Sequence, residues 1–157
     1  MPEPLGKRIL IVDDDAACML PFYEHLENEL VVQLQYSRTI SAAICKLQTV
    51  HFDLLITDML LPMGEMGEEN RQVHFPGKFL VEKIRSGVID FNGPSYQLSQ
   101  IPIIVLSMLE LDELDELDFD FIKKNEPIKF IQKLDLFDRK LVKTVRLMLR
   151  DRSGKPF

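Results

Sequence analysis

Residues 9–17 read ILIVDDDAA. Four bulky apolar residues run without a break into three aspartates. A short, β-branched, uninterrupted apolar run is the pattern of a strand covered on both faces. Three like charges at its end need a physical reason. Two carboxylates about 4 Å apart repel by roughly 4 kcal/mol at an effective dielectric near 20. Such a cluster must take up protons or share a cation.

Working outward, the same device recurs. The run KRILIVD (7–13) is the first strand, and VVQLQYS (31–37) alternates like a second. DLLITD (53–58) is a third apolar run that ends in an acid, IPIIVLS (101–107) a fourth that ends in a hydroxyl, and IKFIQK (128–133) a short fifth that ends in a lysine. Between them the apolar period lengthens to that of helices. Residues 16–29 place Met19, Leu20, Tyr23, Leu26 and Leu30 near one side, and residues 39–50 place Ile40, Ala43, Ile44 and Leu47 together. Residues 78–86 read as a helix stopped by Gly87. Residues 108–124 read as another. Residues 138–151 form a last one, with Leu141, Val142, Val145, Met148 and Leu149 as its apolar side.

Five strand–helix repeats predict a parallel sheet with helices on both faces. Right-handed crossovers then bring all the carboxyl ends of the strands to one edge, where open α/β sheets bind ligands. Asp13, Asp14, Asp58, Ser107 and Lys133 are far apart in sequence, and this topology collects them. Oxygen donors with no His or Cys among them suit Mg²⁺, which takes one or two carboxylates, waters and phosphate oxygens. A carboxylate can act as the nucleophile in phosphoryl transfer, with a metal and a lysine offsetting the charge.

Composition narrows the class. The chain has 157 residues, enough for one domain, with 46% hydrophobic and 28% charged residues and a net charge of −6. No apolar run reaches the roughly 20 residues of a membrane span, and no secretory signal is visible, so a cytoplasmic protein with no membrane partner is expected. Cys18 and Cys45 are read as reduced, buried thiols. Residues 110–120 hold seven acids and no base, and residues 123–157 hold eleven Lys or Arg against four acids. The basic stretch reads as the wet face of the last helix, and no direct nucleic-acid contact is expected. The segment ELDELDELD (110–118) reads as a solvated amphipathic helix. His25, His51 and His74 lack metal-ligand spacing.

ILIVDD, DLLITDMLLP, PIIVLS and FIQK ahead of a final helix, in that order, resemble the receiver domain of two-component response regulators over most of residues 8–150. The resemblance implies a CheY-like, flavodoxin-like sheet of order 2-1-3-4-5. It implies that Asp13, Asp14 and Asp58 bind Mg²⁺, that Asp58 also accepts the phosphoryl group, and that Leu60 gives its backbone carbonyl to the metal. Pro62 matches the proline after the acceptor, and Ser107 the hydroxyl that binds the phosphoryl group. Asp15 is left to solvent or to capping the first helix.

For the lysine, Lys124 after DFDFIK and Lys133 after IKFIQ compete. Lys124 would leave only 17 residues after Ser107 for a helix and a strand. Lys133 is therefore taken, with Phe130 at the aromatic position that reorients in this family. Leu134 stands where the family has a proline. A receiver domain over 1–151 is expected, with an insertion at 63–76, a long loop at 88–100 and a tail at 152–157. The implied partners are a sensor histidine kinase or histidine phosphotransfer protein and a downstream protein target. Two other readings stay open: a receiver-like adaptor that works without phosphorylation, and a phosphohydrolase of the haloacid dehalogenase type using the D-x-D spacing of Asp13 and Asp15. The latter leaves Asp58 without a role and has Ala17 where a hydroxyl or valine is wanted.

Overall fold

A computed structural model describes residues 6–67, 73–91, 97–108, 117–133 and 139–153. Five strands, β1 (Lys7–Val12), β2 (Val32–Ser37), β3 (Leu54–Thr57), β4 (Ile103–Ser107) and β5 (Ile128–Gln132), form one sheet. Its order is β2-β1-β3-β4-β5, and every pairing is parallel. The expected fold class is the observed one. The order reverses between β1 and β3, so their carboxyl ends flank the crevice where such sheets open to ligands.

Period-2 alternation sorts the strand residues between two cores. Leu10, Val12, Leu55, Ile103 and Val105 face α2 (Ile40–Thr49), α3 (Pro76–Arg85) and α4 (Leu117–Lys124). Ile9, Ile11, Leu54, Ile56, Ile104 and Leu106 face α1 (Leu20–Glu29) and α5 (Lys140–Ser153). With both faces covered, the middle strands carry no polar alternation, which is why they read as continuous apolar runs.

The helix ends follow local chemistry. The Thr39 hydroxyl accepts from the Ala42 amide at 3.1 Å and caps α2. Pro76 opens α3, where its missing N–H is no loss. That helix therefore starts two residues before the position expected from Lys78, and Gly87, at φ 79°, follows its end. The arginine that closes α3 spans to the next units. Arg85 donates from Nε to the Asn125 carbonyl at 2.7 Å, from Nη1 to Ser99 at 3.0 Å and from Nη2 to Pro127 at 2.9 Å.

Several expectations are corrected. The helix expected over 16–29 begins as a 3-10 turn, Ala16–Met19, before α1. A 3-10 turn has three residues per turn rather than 3.6, so the facing shifts and Leu20 is exposed rather than packed. Asp15 makes no side-chain cap to that turn and stays exposed. Both cysteines are free, as expected, but exposed rather than buried: Ala43 and Leu47 turn inward on α2, which leaves Cys45 outside. Met108 lies in a bend and not in a helix, and residues 109–116 of that expected helix, which hold most of the acidic segment, fall outside the described residues. The helix α5 runs Lys140–Ser153, past the expected end.

Candidate functional site

The site grows from the ends of β1, β3 and β5. Backbone ladders continue one residue past the strands: the Asp13 amide donates to the Ser37 carbonyl at 2.9 Å, and the Asp58 amide to the Val12 carbonyl at 3.0 Å. Asp13 and Asp58 are thus neighbours across the β1–β3 boundary. Both are buried, at 3% and 8% exposure.

Each carboxylate divides its oxygens between two tasks. Asp13 Oδ1 accepts from the Asp15 amide at 2.9 Å. Asp58 Oδ1 accepts from the Met59 amide at 2.6 Å and the Leu60 amide at 3.2 Å. The Oδ2 atoms of both meet one cation. Lys133 Nζ reaches from the end of β5, past β4, to Asp13 Oδ2 at 2.9 Å and Asp58 Oδ2 at 2.8 Å. Burial alone would lower the Lys133 pKa. The hydrogen bonds and charges of Asp58 and Asp13 outweigh it and hold the ammonium above the ordinary lysine range. With both carboxylates ionised, the trio carries one net negative charge.

Ser107 ends β4 opposite Gln132, almost wholly buried. The structure therefore brings Asp13, Asp58 and Lys133 into contact and sets Ser107 at the end of the strand between β3 and β5. Asp14 is exposed, and its carbonyl accepts from Arg38 Nη2 at 3.3 Å. Leu60 is exposed as a side chain while its amide faces Asp58. Lys124, the competing lysine, lies exposed in the last turn of α4. Phe130 is half-buried against the α2–α3–α4 core.

Two residues that the sequence reading passes over support Asp58. The Thr57 hydroxyl donates to the Asp58 carbonyl at 2.9 Å. Gly77, in the first turn of α3, donates its amide to the Met59 carbonyl at 3.0 Å. A Cβ on Gly77 would stand 1.8 Å from the Asp58 carbonyl oxygen. Only glycine lets α3 approach so closely. Residues 59–74 stand between DLLITD and FPGKFL and hide this relation from a reading by spacing.

No family profile matches the chain, and no curated protein matches it in sequence. Solved structures do. The receiver domain of response regulator 1452 from Francisella superposes with a TM-score of 0.68 at 17% identity, covering 94% of this chain and 100% of that one. A CheY-like response regulator receiver protein from Methanospirillum hungatei gives 0.66 at 22% identity over 95% and 98% of the two chains. The receiver domain of a signal transduction histidine kinase from Syntrophus aciditrophicus gives 0.66 at 23% over 96% and 95%. The chain has the receiver-domain fold.

At these identities the likeness is one of fold, so what the receiver edge of this chain can hold is argued from its own donors. All are hard oxygens, the chemistry Mg²⁺ prefers. No three Asp, Glu, His or Cys side chains converge among the described residues, because Asp14 stays in solvent. Mg²⁺ commonly takes only one or two carboxylates and keeps several waters. The buried Asp13–Asp58 pair, already sharing one cation, fits that demand. No described helix is long and apolar enough to cross a membrane.

Proposed function

We propose that this chain is a phosphoryl-accepting receiver module of a two-component or phosphorelay system. The observation that carries the reading is the single ammonium of Lys133 bridging two buried carboxylates at the carboxyl edge of the sheet. A buried carboxylate held between amides and a lysine is oriented before any donor arrives, and orientation is most of what phosphoryl transfer asks of a protein.

Asp58 is the nucleophile. One of its oxygens forms the new P–O bond as the P–N bond of a partner's phosphohistidine breaks. The electron pair leaves with the imidazole nitrogen, which then takes up a proton. Asp13, Asp14, Asp58 and the Leu60 carbonyl would hold Mg²⁺, which would offset charge on the phosphoryl oxygens. Lys133 neutralises charge from the other side, and the Ser107 hydroxyl donates a hydrogen bond to a phosphoryl oxygen. Movement of Ser107 and the loop after it would bias a surface formed by α4, β5 and α5 toward a downstream protein. The donor is a sensor histidine kinase or a histidine phosphotransfer protein in the cytoplasm. Beyond self-catalysed transfer and hydrolysis at Asp58, no turnover is assigned.

Intact mass after incubation with acetyl phosphate and Mg²⁺ tests this. One phosphoryl adduct is expected on the wild type and none on Asp58→Asn. An unmodified wild type, or equal labelling of the variant, would refute the reading.

A further inference from the structure

The first amides of a helix need acceptors from outside it. In α2 two of them are met by the loop that follows the acceptor. The Ile40 amide donates to the Pro62 carbonyl and the Ser41 amide to the Met63 carbonyl, each at 3.0 Å. The Ser41 hydroxyl tightens the joint: it donates to the Met63 carbonyl at 2.7 Å and accepts from the Met66 amide at 3.0 Å. The loop turns here through Gly64, at φ 81°, in a short 3-10 helix, Gly64–Met66. A Cβ on Gly64 would lie 2.9 Å from Thr39 Cβ and Oγ1, which measures how closely the two segments press.

The other end of the same loop holds Asp58. The amides of Met59 and Leu60 donate to Asp58 Oδ1. Only Leu61 separates Leu60 from Pro62, and Leu61 and Met63 are buried in one core with Ile40, Ala43 and Leu47. Packed cores shift between discrete arrangements and do not stretch. A displacement at residues 59–60 therefore has no slack to absorb it before it reaches α2.

We propose that residues 59–66 are a relay that makes the first turn of α2 report the phosphorylation state of Asp58. The inference rests on Asp58 being the acceptor. Forming the acyl phosphate turns one carboxylate oxygen into an ester oxygen and moves the negative charge out to the phosphoryl group. Hydrogen bonds to an ionised acceptor are about twice as strong as neutral ones. The bonds from Met59 and Leu60 weaken, the loop loosens, and α2 loses the carbonyls that complete its amino end. The phosphorylated chain exposes a frayed first turn of α2, next to the insertion begun at Met63.

Hydrogen exchange of the full chain, with and without acetyl phosphate and Mg²⁺, tests this, with the phosphorylated fraction read by intact mass from the same sample. In the wild type, exchange in the first turn of α2 should rise about fivefold on phosphorylation, the change expected for one lost hydrogen bond. Ser41→Ala should show about that rise before phosphorylation and little further change after it, while Asp58 still labels. Ser41→Thr, which keeps the hydroxyl, should restore the wild-type difference. Full labelling with unchanged or slower exchange in α2 overturns the relay and leaves the acceptor reading standing. Absence of labelling overturns both.

Discussion

Strand β3 has an aspartate at each end, Asp53 before it and Asp58 after it. Asp53 Oδ2 accepts from the Arg8 amide at 2.9 Å, while Lys7 Nζ and His51 Nε2 stand 4.0 Å from Oδ1. Both of those side chains are exposed, so this is a solvated turn whose charges are screened by water. Asp58 is buried against Lys133 at 2.8 Å, with Asp13 as a second claimant on the same ammonium. The two ends differ by topology, not by residue type. At the amino end Asp53 meets Lys7 and Arg8 of β1 and His51 of its own loop. At the carboxyl end the strand order reverses and side chains from β1, β3 and β5 converge.

The largest effect should come from removing the shared cation. Lys133→Ala leaves two buried carboxylates without compensation, and breaking a buried pair in this way costs about 3–5 kcal/mol. Urea unfolding of Lys133→Ala beside Lys7→Ala checks it: Lys7→Ala should lose under about 1 kcal/mol. Equal small losses would make both ends of β3 the same kind of site. Gly77→Ala comes next. Its Cβ collides with the Asp58 carbonyl, so overpacking of about 1–3 kcal/mol is expected, together with slower labelling of Asp58. Wild-type stability and rate would mean that α3 yields without disturbing the acceptor.

A smaller effect separates the two ends by pH. The folded-state pKa of Lys133 is raised above its ordinary 10.5. The folded chain then keeps a proton that the unfolded chain gives up, so this stabilisation is complete below about 10.5 and declines as pH rises through the folded value. Tyr23 and Tyr36, both raised first of all by burial, add to the same alkaline decline. The difference in stability between wild type and Lys133→Met isolates the lysine and should shrink as pH climbs past that value. A constant difference would contradict the coupling. The smallest effect is that of Asp53→Asn, which should change stability by less than about 1 kcal/mol and leave labelling untouched.

The strands were legible in sequence because both faces of the sheet are covered: ILIV, LLI and IIVL show no polar residues to blur them, and each is followed within two residues by a residue of the candidate site. Crossover handedness then sufficed to place Asp13, Asp58, Ser107 and Lys133 on one edge. Lys133 over Lys124 also followed from chain length, since a helix and a strand need room. Gly77 and Thr57 were not legible. Their importance lies in contact with one backbone carbonyl, and Gly77 stands far along the chain from Asp58. The exposure of Leu20 was hidden by the 3-10 start of its helix. That of Cys45 was missed through the general preference of cysteine for burial, although its offset from Ala43 and Leu47 turns it outward. The contact between Met63–Met66 and Ser41 joins distant segments through backbone groups and one hydroxyl, a combination with no fixed sequence spacing.

The central claim is that the carboxyl end of β3, and not its amino end or its neighbours, receives the phosphoryl group. Peptide mass mapping of the chain after acetyl phosphate and Mg²⁺ tests it most directly. The account predicts the modification on Asp58 alone. Finding it on Asp13, on Asp53 or on the Ser107 hydroxyl would contradict it.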